Sequence, residues 1–363
     1  MTGPTTLAAQ WNASVTARCD STFLVFERSD GQVATWTYGE FDSLVDRVAT
    51  TFAEHGVGPG RGVHLALANA PSFVASWIAA LRMGSYVVPS DPAATTPELA
   101  EHMSRTTCAI SVVSIARRDV AAAAADQLDE APQLLAVDED DPLPGALVGT
   151  AQHAEVPPAD WPEPARDARA AIMFTSGTTG RPKGVEVTQA NYAFAGATMA
   201  HAAGRGPDDR QLVVLPLFHA NAQYYSFASA IAVGASVALM HTFSASGVLR
   251  QAIDHGATHA SLFAGPMRMI LARAEPDPDR PVQLEHCWFA QTVAADQYAR
   301  LTEWFGCAPR QLYGMTETLT APFVALRIGD TQWDYAVPDP YYAELMLEDD
   351  GGLSLVFPVT PNR

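Results

Sequence analysis

The sequence predicts an α/β protein in which helices cover both faces of mostly parallel sheets. Two observations lead to this class. The 363 residues exceed what one hydrophobic core usually holds, so two or three packed units are expected. Short apolar runs typical of buried strands also alternate with segments whose apolar residues recur at helical spacing. This alternation is typical of doubly wound sheets.

The first unit contains a capped helix. Thr37 and Glu40 have the spacing of a capping box, and Gly56 follows as a stop signal. The apolar residues between these signals share one helical face: Phe41, Leu44, Val45, Val48 and Phe52. The elements expected next are a buried strand over 62–68, a helix from Pro71 to about Met83 and a buried strand over 109–114.

A change of composition marks the expected end of this unit. An alanine-rich surface helix is predicted over 119–130, followed by four acidic residues at 138–141 and a proline-rich connector over 157–170. We interpret the acidic run as a solvated face. The first boundary is placed at residue 168.

The strand–helix rhythm then resumes with five predicted strands: 170–174, 211–217, 236–240, 258–263 and 286–290. Past about residue 330, two short alternating segments over 343–347 and 353–357 are joined by Asp-Asp-Gly-Gly. They predict a β-hairpin of a small sheet or barrel. The expected units are therefore 1–168, 169–329 and 330–363.

Composition and charge exclude several classes of protein. Asp and Glu number 40 against 22 Lys and Arg, and this balance argues against nucleic-acid and anionic membrane partners. The N-terminus lacks the pattern of a signal peptide, and no apolar run approaches the roughly 20 residues of a membrane span. The four cysteines are far apart without a CxxC pair, which favours reduced thiols in the cytoplasm over a metal site.

A glycine- and hydroxyl-rich loop directly follows the strand predicted over 170–174. It consists of Thr175, Ser176, Gly177, Thr178, Thr179, Gly180, Arg181, Pro182, Lys183 and Gly184. Hydroxyl groups and closely approaching backbone N–H groups suit phosphate oxygens, and the ammonium of Lys183 supplies charge. Lys183 is the only lysine in the chain; the other basic residues are arginine. Since Gly184 follows the lysine, the loop is not a Walker A motif, and it predicts a different kind of ATP-phosphate site.

Together with other segments, this loop resembles the adenylate-forming superfamily, which includes acyl-CoA synthetases, peptide-synthetase adenylation domains and luciferases. The segments that carry the resemblance besides the loop are 35–49, 81–92, 215–225 and Tyr313–Thr318. The loop and the YGMTET segment are each specific, and the others are weak alone. Residues 90–103 and 289–292 are most similar to carnitine-type and related small-acid CoA ligases. The resemblance implies the large N-terminal domain of that fold: two doubly wound αβαβα subdomains plus a partial small β-barrel.

The resemblance also implies roles for individual residues. Tyr313 is expected to stack on adenine, Thr316 to bind the α-phosphate and Glu317 to hold Mg²⁺. The full set implied for ATP binding is Thr175, Ser176, Gly177, Thr178, Thr179, Gly180, Lys183, Ala290, Gln291, Tyr313, Gly314, Met315 and Thr316. Residues 289–292, Phe-Ala-Gln-Thr, replace the Gly-Gly-Ala-Pro usual in relatives. The shape of the pocket at this loop is therefore expected to differ.

A pocket for the acid is expected beside the nucleotide. Its implied lining is His219, Asn221, Gln223, Tyr224, Phe263, Ala264, Gly265, Gln291, Gly314 and Met315. We count His219 as a candidate catalytic residue with Thr316 and Glu317, although a lone histidine after a strand is often a core or capping residue. The polar Asn221 and Gln223 suggest a substrate with functional groups rather than a plain long acyl chain.

The family's later elements lie outside this sequence. They are an aspartate that binds ribose, a hinge and a C-terminal lid domain whose lysine serves adenylation; with Lys183 assigned to the loop, no lysine remains for that role. Three explanations stay open: an N-terminal part of a longer ligase, a stand-alone domain served in trans, or a nucleotide-binding relative with reduced adenylation. The first is favoured because a barrel that stops in mid-sheet exposes a strand edge.

Two classes of function follow from these features. The leading hypothesis is a ligase that uses ATP, Mg²⁺ and a small carboxylic acid to form an acyl-AMP and pyrophosphate, then acylates coenzyme A or a carrier thiol. An amine or an unusual oxyacid as acceptor is a variant of it. The alternative class is a non-catalytic nucleotide-binding module. The sequence leaves the acid, the acceptor and the oligomeric state open.

Overall fold

The computed structural model describes residues 4–141, 145–148, 161–175 and 182–319, together with the backbone of four later strands. Within these residues the helices are α1 (Leu7–Arg18), α2 (Tyr38–Glu54), α3 (Pro71–Arg82), α4 (Thr96–Ser104), α5 (Arg118–Ala125), α6 (Gly145–Val148), α7 (Gln189–Ala203), α8 (Ser229–Val233), α9 (Val248–Asp254), α10 (Ala264–Arg273) and α11 (Ala295–Phe305). Shorter helical segments are two 3₁₀ turns, Ile115–Arg117 and Thr316–Thr318, and a π-helix, Asn221–Ala228. Among the described residues, we find no helix with the length and apolarity needed to cross a membrane.

The strands form two large sheets and one hairpin. In chain order they are β1 (Thr22–Glu27), β2 (Val33–Thr37), β3 (Gly62–Ala66), β4 (Val87–Pro89), β5 (Cys108–Ser114), β6 (Gln133–Val137), β7 (Arg169–Thr175), β8 (Lys183–Thr188), β9 (Arg210–Val213), β10 (Ser236–Met240), β11 (His259–Phe263), β12 (His286–Ala290), β13 (Arg310–Tyr313), β14 (Phe323–Ile328), β15 (Gln332–Ala336), β16 (Glu344–Leu347) and β17 (Leu353–Val356). The first sheet has the order β6-β5-β3-β4-β7-β8, and the second has β15-β14-β13-β12-β11-β9-β10-β1-β2.

Both sheets are parallel in their interior, and antiparallel strands lie at one margin of the first sheet and at both margins of the second. In the first sheet β6 through β7 run parallel and β8 returns antiparallel to β7. In the second sheet β13 through β1 run parallel, while β2, β14 and β15 are antiparallel. Parallel strands require crossover connections, which the helices provide. Helices α4 and α5 cover one face of the first sheet, and α9, α10 and α11 cover one face of the second.

The opposite faces of the two sheets share a single core. Residues of both sheets and of α2, α3, α7 and the π-helix join in one buried cluster. Helix α7 and the π-helix approach closely at Gly196, where a Cβ atom would lie 2.5 Å from the carbonyl oxygen of Ala228. Helices therefore cover both faces of each large sheet, and the predicted doubly wound α/β class is confirmed.

The predicted boundary at residue 168 does not coincide with the division between the sheets. Strand β1 pairs with β10, and β2 pairs with β1, so both belong to the second sheet although they lie in the predicted first unit. Strand β7 pairs with β4, and β8 pairs with β7, so both belong to the first sheet although they follow residue 168. The composition change located a surface connector, whereas strand pairing over long sequence separation decides sheet membership.

Local signals positioned several elements well. The capping box of Thr37 and Glu40 opens α2, with Glu40 N–H donating to Thr37 Oγ1 at 3.1 Å. Helix α5 is shorter than predicted because the N–H groups of Gln127 and Leu128 donate to carbonyls three residues back, which tightens the end of the helix.

Strand β9 also ends earlier than predicted. The carbonyl of Leu215 accepts from Asn69 Nδ2 and the N–H of Leu217 donates to Asn69 Oδ1, so these groups do not pair with a neighbouring strand. Near the C-terminus, β16 and β17 pair antiparallel with Leu347 opposite Leu353, which confirms the predicted hairpin. Strands β14 and β15 lie on either side of the predicted boundary at residue 329 and pair with each other.

Candidate active site

Four adjacent parallel strands of the second sheet end beside one another. They are β9, β11, β12 and β13, and the segments that leave their carboxyl ends carry most of the predicted site. Residues 219–221 follow β9, Ala264 and Gly265 follow β11, Gln291 follows β12, and residues 314–317 follow β13. The carboxyl edge of a parallel sheet is where α/β proteins usually bind ligands. The fold therefore brings these sequence-distant residues to one edge.

Exposed apolar side chains concentrate at this edge. Phe263 is 37% exposed at the end of β11, and Tyr313 and Met315 are 58% and 48% exposed at the end of β13. Met269 on α10, which begins at this edge, is 46% exposed. Large apolar groups left open to water mark binding surfaces when they cluster. Tyr313, the predicted adenine-stacking residue, thus lies among the exposed apolar groups of this edge.

Strained backbone lies at the same edge. Among the described residues other than glycine, only Gln291 and Leu319 have positive φ angles, 68° and 66°. Such conformations are unfavourable for residues with a Cβ atom and tend to occur at functional sites. Gln291 follows β12, and Leu319 follows the 3₁₀ turn Thr316–Thr318. The carbonyl of Gln291 is held by Gln311 Nε2 at 2.7 Å.

The phosphate loop predicted from the sequence connects the two strands of a hairpin. Its residues 176–181 lie outside the described residues. Its flanks are described: Thr175 ends β7, Lys183 begins β8, and these two residues are opposite each other in the antiparallel register. Lys183 is exposed. The hairpin distinguishes this loop from a Walker A loop, which opens a helix, as the sequence already indicated.

The π-helix links the hairpin to the end of β13. Tyr224 is fully buried, and its hydroxyl donates to the sulfur of Met173 on β7 at 3.2 Å. Burial raises the pKa of Tyr224, and the nearby charges of Tyr225 and Glu317 raise it further. Glu317 therefore lies close enough to interact electrostatically with a residue packed on the strand that leads into the loop. The predicted metal ligand therefore lies in the same region as β7, the strand that leads into the predicted loop.

His102 on α4 and Arg105, which caps the C-terminus of that helix, contact both flanks of the predicted loop, and the sequence did not single them out. The ring of His102 stacks on Phe174 at 4.1 Å between centroids, and the guanidinium of Arg105 lies 5.0 Å from the centre of the same ring. Arg105 also donates to the carbonyl of Pro182 at 2.7 Å. Histidine and arginine three positions apart share one helix face, but only the tertiary structure shows what that face contacts.

A buried hydrogen-bond network supports His102 from behind. Ser90 Oγ lies 2.8 Å from His102 Nδ1 and 2.9 Å from His64 Nε2, and His64 Nδ1 lies 2.7 Å from Ser111 Oγ. Burial lowers the pKa of His64 to about 3 and, with less effect, lowers that of His102. Both rings are therefore neutral near pH 7. A neutral ring can both donate and accept, as this network requires.

The predicted acid-pocket residues differ in their surroundings. His219 is exposed to solvent, yet the protein atoms packed around its ring lower its pKa, while the charge of Asp91 acts in the opposite direction. Asn221 is half-buried, and its Oδ1 has no hydrogen-bond partner among the described residues. Gln223 is fully buried; it accepts from the hydroxyl of Tyr192 and donates to the carbonyl of Leu217 at 2.6 Å. This geometry gives Gln223 a structural role and does not support its assignment to the pocket.

A further residue that the sequence did not single out joins the carboxyl ends of the two sheets. Asn69, which follows β3, donates to the carbonyls of Leu215 and Met240 at 3.1 and 3.0 Å. It also accepts from the N–H of Leu217 at 2.8 Å. These three bonds fix the segment that leads from β9 to His219. An asparagine after a buried strand is a common pattern, so the sequence alone carried no signal for this bridge.

Comparison with known proteins is consistent with this geometry. A family model described as AMP-binding enzyme matches residues 11–356. The chain belongs to this family. Crotonobetaine/carnitine–CoA ligase of Salmonella choleraesuis strain SC-B67 is 27% identical to this AMP-binding family member over 335 residues, or 90% of this chain and 64% of that one. The chain therefore spans less than two thirds of the length of that ligase.

Solved structures show that this AMP-binding chain has the fold of adenylate-forming ligases. A benzoate CoA ligase from Burkholderia xenovorans LB400 superposes with a TM-score of 0.79 at 21% identity, covering 96% of this chain and 69% of that one. An anthranilate CoA ligase in complex with anthranoyl-AMP gives 0.81 at 17% identity, with 97% and 67% covered. The resemblance to adenylate-forming enzymes, and to carnitine-type ligases among them, is confirmed.

Proposed function

We propose that this chain binds ATP and a small carboxylic acid and takes part in forming an acyl-adenylate, whose acyl group is then transferred to coenzyme A or a carrier thiol. One observation carries the proposal. The segment that ends β13 carries the exposed ring of Tyr313, the hydroxyl of Thr316 and the carboxylate of Glu317 at the edge where β9, β11 and β12 also end. Tyr224 connects this segment with β7, the strand that leads into the hairpin of Lys183. Membership of the AMP-binding family and the ligases among its relatives support the same chemistry.

The reaction needs charge neutralisation and alignment more than covalent help from the protein. An oxygen of the substrate carboxylate attacks the α-phosphorus, the bond to the bridging oxygen of the β-phosphate breaks, and pyrophosphate leaves with its electron pair. In this proposal Lys183 neutralises the outer phosphates, Thr316 donates to the α-phosphate and Tyr313 stacks on adenine. The substrate carboxylate is already ionised in a water-exposed site, so the reaction needs no general base to remove a proton.

Magnesium is proposed as the accompanying cation, with Glu317 as its protein ligand. Among the described residues there is no cluster of three or more metal-binding side chains. A single exposed carboxylate nevertheless fits Mg²⁺, which usually binds one or two carboxylates and takes its other ligands from phosphates and water. When bound with ATP, the ion neutralises charge on the phosphates. We also propose the cytoplasm as the compartment, because all four cysteines are free thiols.

Calorimetric titration with ATP and Mg²⁺ tests the nucleotide part of the proposal. We expect Lys183→Met and Glu317→Gln each to weaken binding roughly tenfold or more, since each removes a charge-assisted contact. Glu303→Gln, which changes an exposed glutamate of α11, is the matched control and is expected to bind like the parent. Unchanged affinity in both site variants would contradict the proposed phosphate and metal contacts.

Carboxylate-dependent exchange of labelled pyrophosphate into ATP tests the chemical step. We expect this chain to support exchange with at least one small acid. A nucleotide-binding module that lacks adenylation is the second candidate, because the only lysine of the sequence lies in the predicted phosphate loop. Tight ATP binding without exchange for any acid would favour that module.

A further inference from the structure

A row of polar side chains lies on the inner face of the second sheet, where an apolar surface is expected. We call it the polar stripe: Gln211 on β9, His259 and Ser261 on β11, and His286 and Trp288 on β12. The residues are register partners, with Gln211 opposite His259, His259 opposite His286 and Ser261 opposite Trp288. They alternate with apolar residues that face the other core, such as Leu212, Ala260 and Cys287. The stripe therefore lies on the face that packs against α7 and the π-helix.

Several polar atoms of the stripe have no hydrogen-bond partner among the described residues. They are Ser261 Oγ, His286 Nε2 and Trp288 Nε1, whose residues are 3%, 4% and 1% exposed. The Nε of buried Arg205, which contacts Gln211 from the end of α7, is also unpartnered. A buried polar group without a hydrogen-bond partner destabilises a fold because it has lost its contacts with water. A group of them in neighbouring register positions indicates a site that a polar ligand completes.

The stripe begins directly beneath the candidate active site. Ser261 precedes the exposed Phe263 by two residues, and Trp288 precedes Ala290 by two. At about 3.3 Å per residue in a parallel strand, both lie about 7 Å below the edge where the acid is activated. Asn221, whose Oδ1 is unpartnered, begins the π-helix that packs on these strands. A small acid with its carboxylate at the edge can thus direct its other end towards Ser261 and Trp288.

The chemistry of the stripe favours oxygen over a cation. The Trp288 indole and the Arg205 guanidinium only donate hydrogen bonds, and the Ser261 hydroxyl can donate as well. Arg205 is buried, and the partners it contacts are neutral: the carbonyl of Ser226, Ser229 Oγ and Gln211 Oε1.

Asp209 is the acidic residue near this cluster, and its carboxylate already accepts from the N–H of Gly206 at 2.7 Å and from Thr258 Oγ1 at 2.9 Å. Asp209 Oδ1 also lies 3.7 Å from His259 Nδ1, at the end of the stripe farther from the active-site edge. Nearer that edge, Ser261 Oγ and Trp288 Nε1 have no carboxylate within hydrogen-bond distance among the described residues. A cationic substrate group beside Ser261 and Trp288 would therefore meet hydrogen-bond donors and no acceptor of opposite charge.

We propose that the polar stripe contacts the end of the acid opposite the carboxylate that is activated. It thereby selects small acids that carry a second oxygen function at that end: a carbonyl, a hydroxyl or a second carboxylate. Ser261 and Trp288 are the residues that contact this oxygen, and Arg205 supplies the positive potential behind them. The proposal rests on the acyl-adenylate function above and adds the substrate class to it. Acids with a quaternary ammonium group are excluded by the same arrangement.

Acids of similar length that differ in their terminal group test the proposal. Glutarate, levulinate, valerate and γ-butyrobetaine present a carboxylate, a carbonyl, a methyl group and a trimethylammonium group. We expect glutarate and levulinate to bind the chain at least about tenfold more tightly than valerate, the effect of one well-made buried hydrogen bond. γ-Butyrobetaine is expected to bind most weakly. Titrations are run with and without saturating ATP, so the preference is scored even if the nucleotide does not bind.

Variants assign the preference to individual residues. Trp288→Phe and Ser261→Ala are expected to reduce the preference for glutarate and levulinate over valerate several-fold and to leave ATP binding unchanged. The matched controls are Trp77→Phe and Ser76→Ala, which alter fully buried residues of α3 outside the stripe and are expected to retain the preference.

The outcomes separate the two proposals. Oxygen-bearing acids that bind no better than valerate, or a preference that survives both stripe variants, would overturn the substrate class. A parent chain that binds no ATP, while still preferring glutarate and levulinate, would instead count against the acyl-adenylate function.

Discussion

The backbone of Gln291 offers a direct test of strain at the active-site edge. Its φ of 68° lies in the left-handed region, where a residue with a Cβ atom is disfavoured by roughly 1–2 kcal/mol and glycine is not. The Gln291 side chain is exposed, whereas its carbonyl accepts from Gln311 Nε2 at 2.7 Å. Gln291→Gly therefore removes the strain and keeps the backbone hydrogen bond.

The comparison with Gln291→Ala isolates the effect of the Cβ atom. Both variants lose the same exposed amide group, so two differences between them remain. The alanine variant keeps the left-handed strain, and the glycine variant has the more flexible unfolded chain. That flexibility offsets about 0.4–1 kcal/mol of the stability that the glycine variant gains from relief of the strain. We expect the glycine variant to exceed the alanine variant by about 0.5–1 kcal/mol in the free energy of unfolding.

Urea denaturation followed by circular dichroism measures this difference, provided that the slope of the transition is the same in both variants. An alanine variant as stable as the glycine variant, or more stable, would refute the argument that the backbone is strained. If the strain serves to position the loop, the glycine variant is also expected to bind ATP more weakly despite its greater stability.

Two further predictions concern the elements behind the phosphate loop. Arg105→Ala removes the cation above Phe174 and the donor to the carbonyl of Pro182, and we expect ATP affinity to fall up to about tenfold. The control is Arg118→Ala, which changes an exposed arginine of α5 and is expected to leave the ATP affinity measured by calorimetry unchanged. Equal affinities in the two variants would show that α4 does not position the loop. The second prediction concerns His64, whose pKa is about 3 in the folded chain and 6.5 ordinarily. As the pH falls below 6.5, the unfolded chain binds a proton at His64 that the folded chain does not bind, so the free energy of unfolding falls. Between pH 7 and pH 5 we expect the parent to lose about 2 kcal/mol more unfolding free energy than His64→Gln, and parallel pH profiles would contradict this.

Much of the fold could be predicted because its signals are local. The capping box at Thr37, the uninterrupted apolar runs of β10 and β12 and the turn residues between β16 and β17 each depend on near neighbours in the chain. The phosphate loop and the YGMTET segment were identifiable for the same reason, since each is a short continuous motif. These features determined the class of the protein and the kind of ligand expected.

Assignment of strands to sheets depended on pairing that no local pattern encodes. Strand β1 lies beside β10 in the second sheet, more than two hundred residues away in sequence on any count of their printed bounds. Strand β8 could not be distinguished from the end of the loop, because an exposed edge strand carries a weak alternation of apolar and polar residues. A boundary drawn from composition therefore separated segments that the sheets join.

The sequence by itself determined the family of this chain, because the motifs that carry the resemblance are runs of consecutive residues. It also predicted a nucleotide loop with the only lysine of the chain and a metal-binding carboxylate in the YGMTET segment. The tertiary structure decided which side chains support that chemistry. It placed Gln223 in the core, His102 and Arg105 against the loop, and Ser261 beside Trp288 beneath the active-site edge. Each of those contacts joins residues on different elements, and the packing of sheets and helices alone brings them within reach.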